Sequence, residues 1–279
     1  MRRLVVCACL ILLALIAAQQ RLPAISFSST LDPIKIEGRP GEVVNRAFQL
    51  KLTESRAVVH FKCRVEDWWR SEDGKQSFFR QPGLPGNPSR SCAKWVSLNP
   101  VESAVKPGGI LRVRVSVSIP PDVQPGGYWS VLTVDEIRNP LTIEPGVGIQ
   151  FLASVSVGIF VYISPLERAA TITGVDIERD TASVRIRNDG NTPLSVEGRI
   201  EFVKPSDTKP LATATIPRGA LLPEPISTGL FTAKLPDAVS LPSGRYLVRA
   251  IVDIGLDHYI GVQKEMDVNR DASPPSDGK

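Results

Sequence analysis

From Ile149 to Ile163 the chain alternates, with Ile149, Phe151, Ala153, Val155, Val157, Ile159, Val161 and Ile163 on one face. A period of two is the mark of a β-strand. At about 3.3 Å per residue the segment predicts a strand of roughly 50 Å, well beyond the usual five or six residues. Its apolar edge needs cover, either from an opposing sheet or from a strand supplied by another protein through β-augmentation.

The same short apolar alternation recurs along the chain, punctuated by Pro and Gly, and no stretch keeps a helical period. Upstream of the long strand the pattern predicts strands at Ala24 to Ser28, Val43 to Leu52, Val58 to Glu66, Cys92 to Leu98, Ile110 to Ile119 and Tyr128 to Ile137. Leu111, Val113, Val115, Val117 and Ile119 point inward, and Arg112, Arg114, Ser116 and Ser118 outward. Ser71 to Ser91, rich in Gly, Pro, Ser and charge, reads as a long loop. After a joint at Ser164 to Ala170, a second set follows at Thr171 to Ile177, Ala182 to Arg187, Ser195 to Phe202, Leu211 to Ile216, Gly229 to Leu235, Tyr246 to Ile254 and Tyr259 to Val268. Asn188, Asp189, Gly190 and Asn191 form a turn, and the polar tail from Asn269 is expected to be disordered.

An internal echo links the two sets. Pro121, Asp122, Val123, Pro125, Gly127 and Tyr128 correspond to Pro236, Asp237, Val239, Pro242, Gly244 and Tyr246. Each tyrosine opens the penultimate strand of its set, where immunoglobulin-like sandwiches place a corner tyrosine bonded to upstream backbone. The expected fold is therefore all-β: two tandem immunoglobulin-like β-sandwich domains, at 19–164 and 165–268, between a leader at 1–18 and a tail at 269–279.

The leader is read from Arg2 and Arg3 before an apolar run, Leu4 to Ala18, that ends at Gln19 and Gln20. This is the pattern of a secretory signal peptide, and an uncleaved anchor is its alternative. The expected location is periplasmic or secreted. Removal of Arg2 and Arg3 lowers the formal charge of +4 by two, which offers no attraction for nucleic acid or an anionic membrane. Cys7 and Cys9 leave with the leader, and Cys63 and Cys92 remain. In an exported chain they predict a disulfide, worth about 3 to 4 kcal/mol in the chain-entropy model.

Chemistry is sparse. His60 lies on the polar face of its strand and His258 in a hairpin, and a metal site around Asp253, Asp257 and His258 lacks a fourth ligand. No phosphate loop, nucleophile elbow or zinc-spaced cluster is present in the sequence. No enzyme activity, metal or other cofactor is expected, although a two-carboxylate hydrolase site assembled from distant loops leaves no sequence signature. Trp68, Trp69, Phe78 and Phe79 form the one aromatic-rich loop, able to stack on sugars, anchor a protein or roof the sandwich.

Lys94 to Pro100, Pro120 to Val134 with its Tyr128, Trp129, Ser130, Val131 and Leu132, and the Ile149 to Ile163 strand resemble the first domain of periplasmic pilus-assembly chaperones. The resemblance implies a non-catalytic envelope protein whose partner is a pilin-like subunit. Phe151, Ala153, Val155, Val157 and Ile159 would be donated into a groove of that partner. It also implies that Lys35 is the first of two cations holding the partner's C-terminal carboxylate. The second basic anchor is missing: the last strand offers Gly158 or Ile159 where the family carries lysine. Lys35 as a solvated surface residue is the plainer reading. The alternative function is an extracellular adhesive or glycan-binding β-sandwich module using the Trp68 and Trp69 loop.

Overall fold

The computed structural model describes residues 26–28, 32–55, 57–73, 76–78, 90–137, 152–224, 227–237 and 239–269. The leader, Phe151 and the C-terminal tail lie outside the described residues. Among those described, no helix is long and apolar enough to cross a membrane.

The first sandwich uses β1 (Ser26–Ser28), β2 (Ile34–Gly38), β3 (Val43–Glu54), β4 (Val59–Glu66), β7 (Val96–Asn99), β8 (Glu102–Val105), β9 (Ile110–Ser118), β10 (Gly126–Ile137) and β11 (Ser154–Ile163). A hairpin of β5 (Trp68–Arg70) and β6 (Gln76–Phe78) projects from it. One sheet has the order β1-β3-β9-β7 and the other β2-β11-β10-β4-β8. Successive strands β1 and β2 thus belong to opposite sheets. β2 runs parallel to β11, whereas β11 is antiparallel to β10.

The second sandwich packs β12 (Ala170–Glu178), β13 (Thr181–Asn188) and β16 (Thr228–Lys234) against β15 (Ala212–Leu221), β14 (Leu194–Val203), β17 (Gly244–Asp253) and β18 (Ile260–Val268). The fold is all-β, with two tandem immunoglobulin-like sandwiches. Each closes on its own core, Phe61, Leu132 and Ile159 in the first, Phe202, Ile200 and Ile186 in the second. Alternation makes these cores: Leu111, Val113, Val115 and Val117 are at most 1% exposed, and the arginines between them face solvent. Both corner tyrosines form as expected, Tyr128 donating to the Gln124 carbonyl and Tyr246 to the Pro242 carbonyl, each at 2.9 Å. The structural counterpart of Gly244 is Gly126, two residues before its tyrosine, rather than Gly127.

Three expectations change. Short strands β2 and β8 bury only Ile36 and Val105 fully, too little alternation to read in advance. The segment Ser71 to Ser91 is not all loop, because β6 lies within it. Cys63 and Cys92 are separate buried thiols and not a disulfide. Cys63 pairs in register with Val134 of β10, whereas the Cys92 amide bonds Trp129 O and its Sγ lies 3.2 Å from Ser130 Oγ. Those two places differ by four or five residues along β10, on the order of 13 to 16 Å, against the roughly 7 Å Cα limit for a bridge.

Burial pushes the Cys63 thiol up to about 11 and that of Cys92 to about 12. Both should therefore resist alkylation in the native protein and label fully on unfolding, and a reductant should leave the melting temperature unchanged. Because the folded state holds these protons more tightly, their contribution is intact below the unfolded pKa near 9 and is lost as pH rises through about 11 and about 12. Denaturant titrations across that window test the slope.

Candidate partner-binding edge and interdomain cleft

β11 is bordered unevenly. Antiparallel pairing with β10 runs from Asp135↔Ser154 to Gly126↔Ile163, but β2 covers only Ile159 to Ile163 on the other flank. Among the described residues, Ser154 to Gly158 have β10 as their sole ladder partner. Ile149 to Phe151 lie outside the described residues, and β11 begins at Ser154, with Ala153 held by reciprocal bonds: its carbonyl accepts from the Glu136 amide and its amide donates to Glu136 Oε2.

The donor-strand expectation narrows accordingly. Val157 and Ile159 are 2% and 0% exposed in the domain's own core, and they present nothing to a neighbour. Ala153 and Val155 are half-buried at the open end of the strand, where the covering sheet thins. Phe151 lies outside the described residues.

The other face of β11 turns toward the second domain. Trp68, Trp129, Val131 and Phe160 meet Leu222 in a buried apolar cluster, flanked by Tyr162 and Ala220. Gly158 permits this locally, since a Cβ there would lie 2.8 Å from the Phe160 ring. Trp68 packs edge-on to Phe160 with centroids 6.0 Å apart and donates to Ser130 O, while the Trp129 indole donates to Trp68 O. Trp68, at 6% exposure, is therefore interface core and not an open stacking platform, which removes it from the glycan reading. The backbone of Trp69 lies in the same strand β5.

Beyond Trp68 the hairpin reaches across to the second domain. Arg70 donates to Ala220 O at 3.2 Å and lies over the Phe231 ring at 4.8 Å. The Leu230 amide donates to Glu72 O, and the Glu72 carboxylate meets Arg185 at 3.1 Å. Burial lowers the Arg70 pKa, and its Nε finds no partner. On the opposite side, the predicted Asn188 to Asn191 turn does more than reverse the chain: Asn191 O accepts from the Gly127 amide, and Asn191 Oδ1 from Glu167 N. Gly127 must lack a side chain, because a Cβ would lie 2.2 Å from Pro193 Cδ.

These contacts frame a cleft of about 640 Å³ between the sandwiches, lined among others by Asp32, Lys35, Phe160, Tyr162, Arg168 and Arg218. Lys35 stands opposite Phe160 in the β2–β11 ladder, at the cleft mouth. Arg218 is engaged by Glu197 at 3.3 Å. Lys35 and Arg168 have no ion-pair partner among the described residues. Burial raises the Tyr162 pKa, and the nearby Arg168 opposes that rise. Arg168 on the interdomain joint is a second cation lining the cleft with Lys35, and spacing along β11 alone did not point to it. The sequence candidates for a metal are occupied otherwise: Asp257 contacts His258 at 2.8 Å, and Asp253 accepts from the Gly255 amide.

Comparisons with known proteins find no matching family model and no matching curated protein. Among solved structures the chain is similar to the CupB2 chaperone of Pseudomonas aeruginosa, with TM-score 0.44, 14% identity and coverage of 88% of this chain and 100% of that one. It is similar to the class 5 fimbriae chaperone CfaA, with TM-score 0.47, 12% identity and coverage of 86% and 99%. A chain of the Salmonella enterica SafA pilin–SafB chaperone complex gives TM-score 0.46, 10% identity and coverage of 88% and 98%.

Arg70→Ala removes a bond and a cation–π contact between the domains while leaving both cores intact, a loss of about 1 to 3 kcal/mol. Calorimetry should show the single melting transition splitting in two; one unshifted transition would mean that the hairpin does not couple the sandwiches.

Proposed function

We propose that this chain is a non-catalytic, chaperone-like protein of the cell envelope that binds an extended segment of a partner protein by strand addition along Ser154 to Gly158. The supporting observation is the five-residue stretch of β11 with one ladder partner among the described residues, in line with the start of β2. A strand added there parallel to β11 runs toward Ile34, so its C-terminus arrives at Lys35 and the cleft. Lys35 and Arg168 then supply two cations for a terminal carboxylate, and charge-assisted hydrogen bonds make that end selective. Ala153 and Val155 offer the apolar contact beside the new strand. The partner class is a pilin-like subunit, encountered in the periplasm or outside the cell.

The test compares a peptide of alternating Val and Ser bearing a free C-terminal carboxylate with its amidated twin, by calorimetric titration. The free acid should bind about tenfold more tightly. Lys35→Glu should erase that difference, and Val155→Asp should weaken both peptides while the circular dichroism spectrum stays that of a folded β protein. Equal binding of acid and amide, or binding indifferent to Val155→Asp, would defeat the proposal.

A further inference from the structure

The solvent face of the β1-β3-β9-β7 sheet carries positive charge that no acid among the described residues answers. Outward positions on β3 are Val43, Asn45, Ala47, Gln49, Lys51 and Thr53, and on β9 they include Arg112 and Arg114. Register places Arg114 opposite Ala47, Arg112 opposite Gln49 and Lys51 opposite Ile110. β7 adds Ser97 and Asn99. Arg46, whose guanidinium donates to Asn45 O, sits at the same sheet's border. None of Arg46, Lys51, Arg112 and Arg114 has an ion-pair partner among the described residues. Four arginines of the second domain are held differently: Arg187 by Asp189, Arg199 by Glu201, Arg218 by Glu197 and Arg245 by Glu265.

The patch also has shape. Arg46, Arg112 and Arg114, with Asn45 and Asn99, surround a shallow trough of about 520 Å³ over the small side chain of Ala47. Three of its four cations are arginines, whose planar forks suit carboxylates.

We propose that this face docks an extended, carboxylate-rich segment of a partner protein. Arg112 and Arg114 lie two residues apart on one strand face, about 7 Å, the spacing at which alternate side chains recur along an extended peptide. Acidic residues at alternate positions therefore meet successive guanidiniums, and the asparagine amides serve the polar groups between them. The outward positions carry no aromatic ring on which a sugar could stack, and a trough suits a chain better than a planar bilayer. The face lies on the sheet opposite to that of β11, and the inference stands apart from the strand-addition reading.

The experiment is fluorescence polarisation of the full chain with a labelled peptide of alternating Glu and Ser. Wild type should bind at low salt and release the peptide at about 1 M salt, where the Debye length falls to about 3 Å. Arg112→Ala with Arg114→Ala should weaken binding about tenfold or more. The paired Lys substitutions should retain part of it, and Arg199→Ala, with its carboxylate-held cation, should change nothing. Because the substituted side chains face solvent, the melting temperature should stay at the wild-type value. Absence of wild-type binding, unchanged binding by the alanine pair, or capture on phosphatidylglycerol vesicles that the peptide does not compete would each overturn the proposal.

Discussion

The molecule is organised by the uneven pairing of β11. Between Ile159 and Ile163 the strand is held by β10 on one flank and β2 on the other, and Ile159, Val161 and Ile163 enter the core at 1% exposure or less. Between Ser154 and Gly158 the second flank is unclaimed among the described residues. The difference originates in the first strands of the chain: β1 pairs with β3 in one sheet, and the chain then crosses so that β2 joins the other. Among the described residues neither short strand spans the whole sandwich, so β2 flanks β11 only from Ile159 and β1 flanks β3 only from Lys51. Such an edge is a hazard for aggregation and an opportunity for recognition.

The opposite face of the same strand gives the edge a destination. Phe160 and Tyr162 point outward and meet the second domain, so the strand that carries the free edge also forms the floor of the interdomain cleft. The relative placement of the sandwiches is held on both sides of that floor, by Arg70 and Glu72 on the hairpin and by Asn191 on the turn. Lys35 and Arg168 both line the cleft fixed in this way. Burying Trp68, Trp129 and Phe160 between the domains stiffens the arrangement.

The sequence by itself determined the architecture. Period-two alternation in Ile110 to Ser118 and in the second set of strands specifies which side chains enter each core, because a one-residue slip would expose them all. The echoed Pro, Gly and Tyr residues specified both corners, since the tyrosine hydroxyl reaches backbone only four residues away. These are local rules and can be read locally. What only the tertiary structure decided is everything that depends on which strands become neighbours. Cys63 and Cys92 both enter the first core but meet β10 at different heights, so no bridge forms. Val157 and Ile159 share an alternating pattern with Val155 yet are claimed by their own core, Val157 even though β2 does not flank it. Lys35 and Arg168 are distant in sequence and converge because one lies on β2 and the other on the joint that follows β11. Periodicity specifies the face of a residue, and only the packing of strands and domains specifies what that face meets.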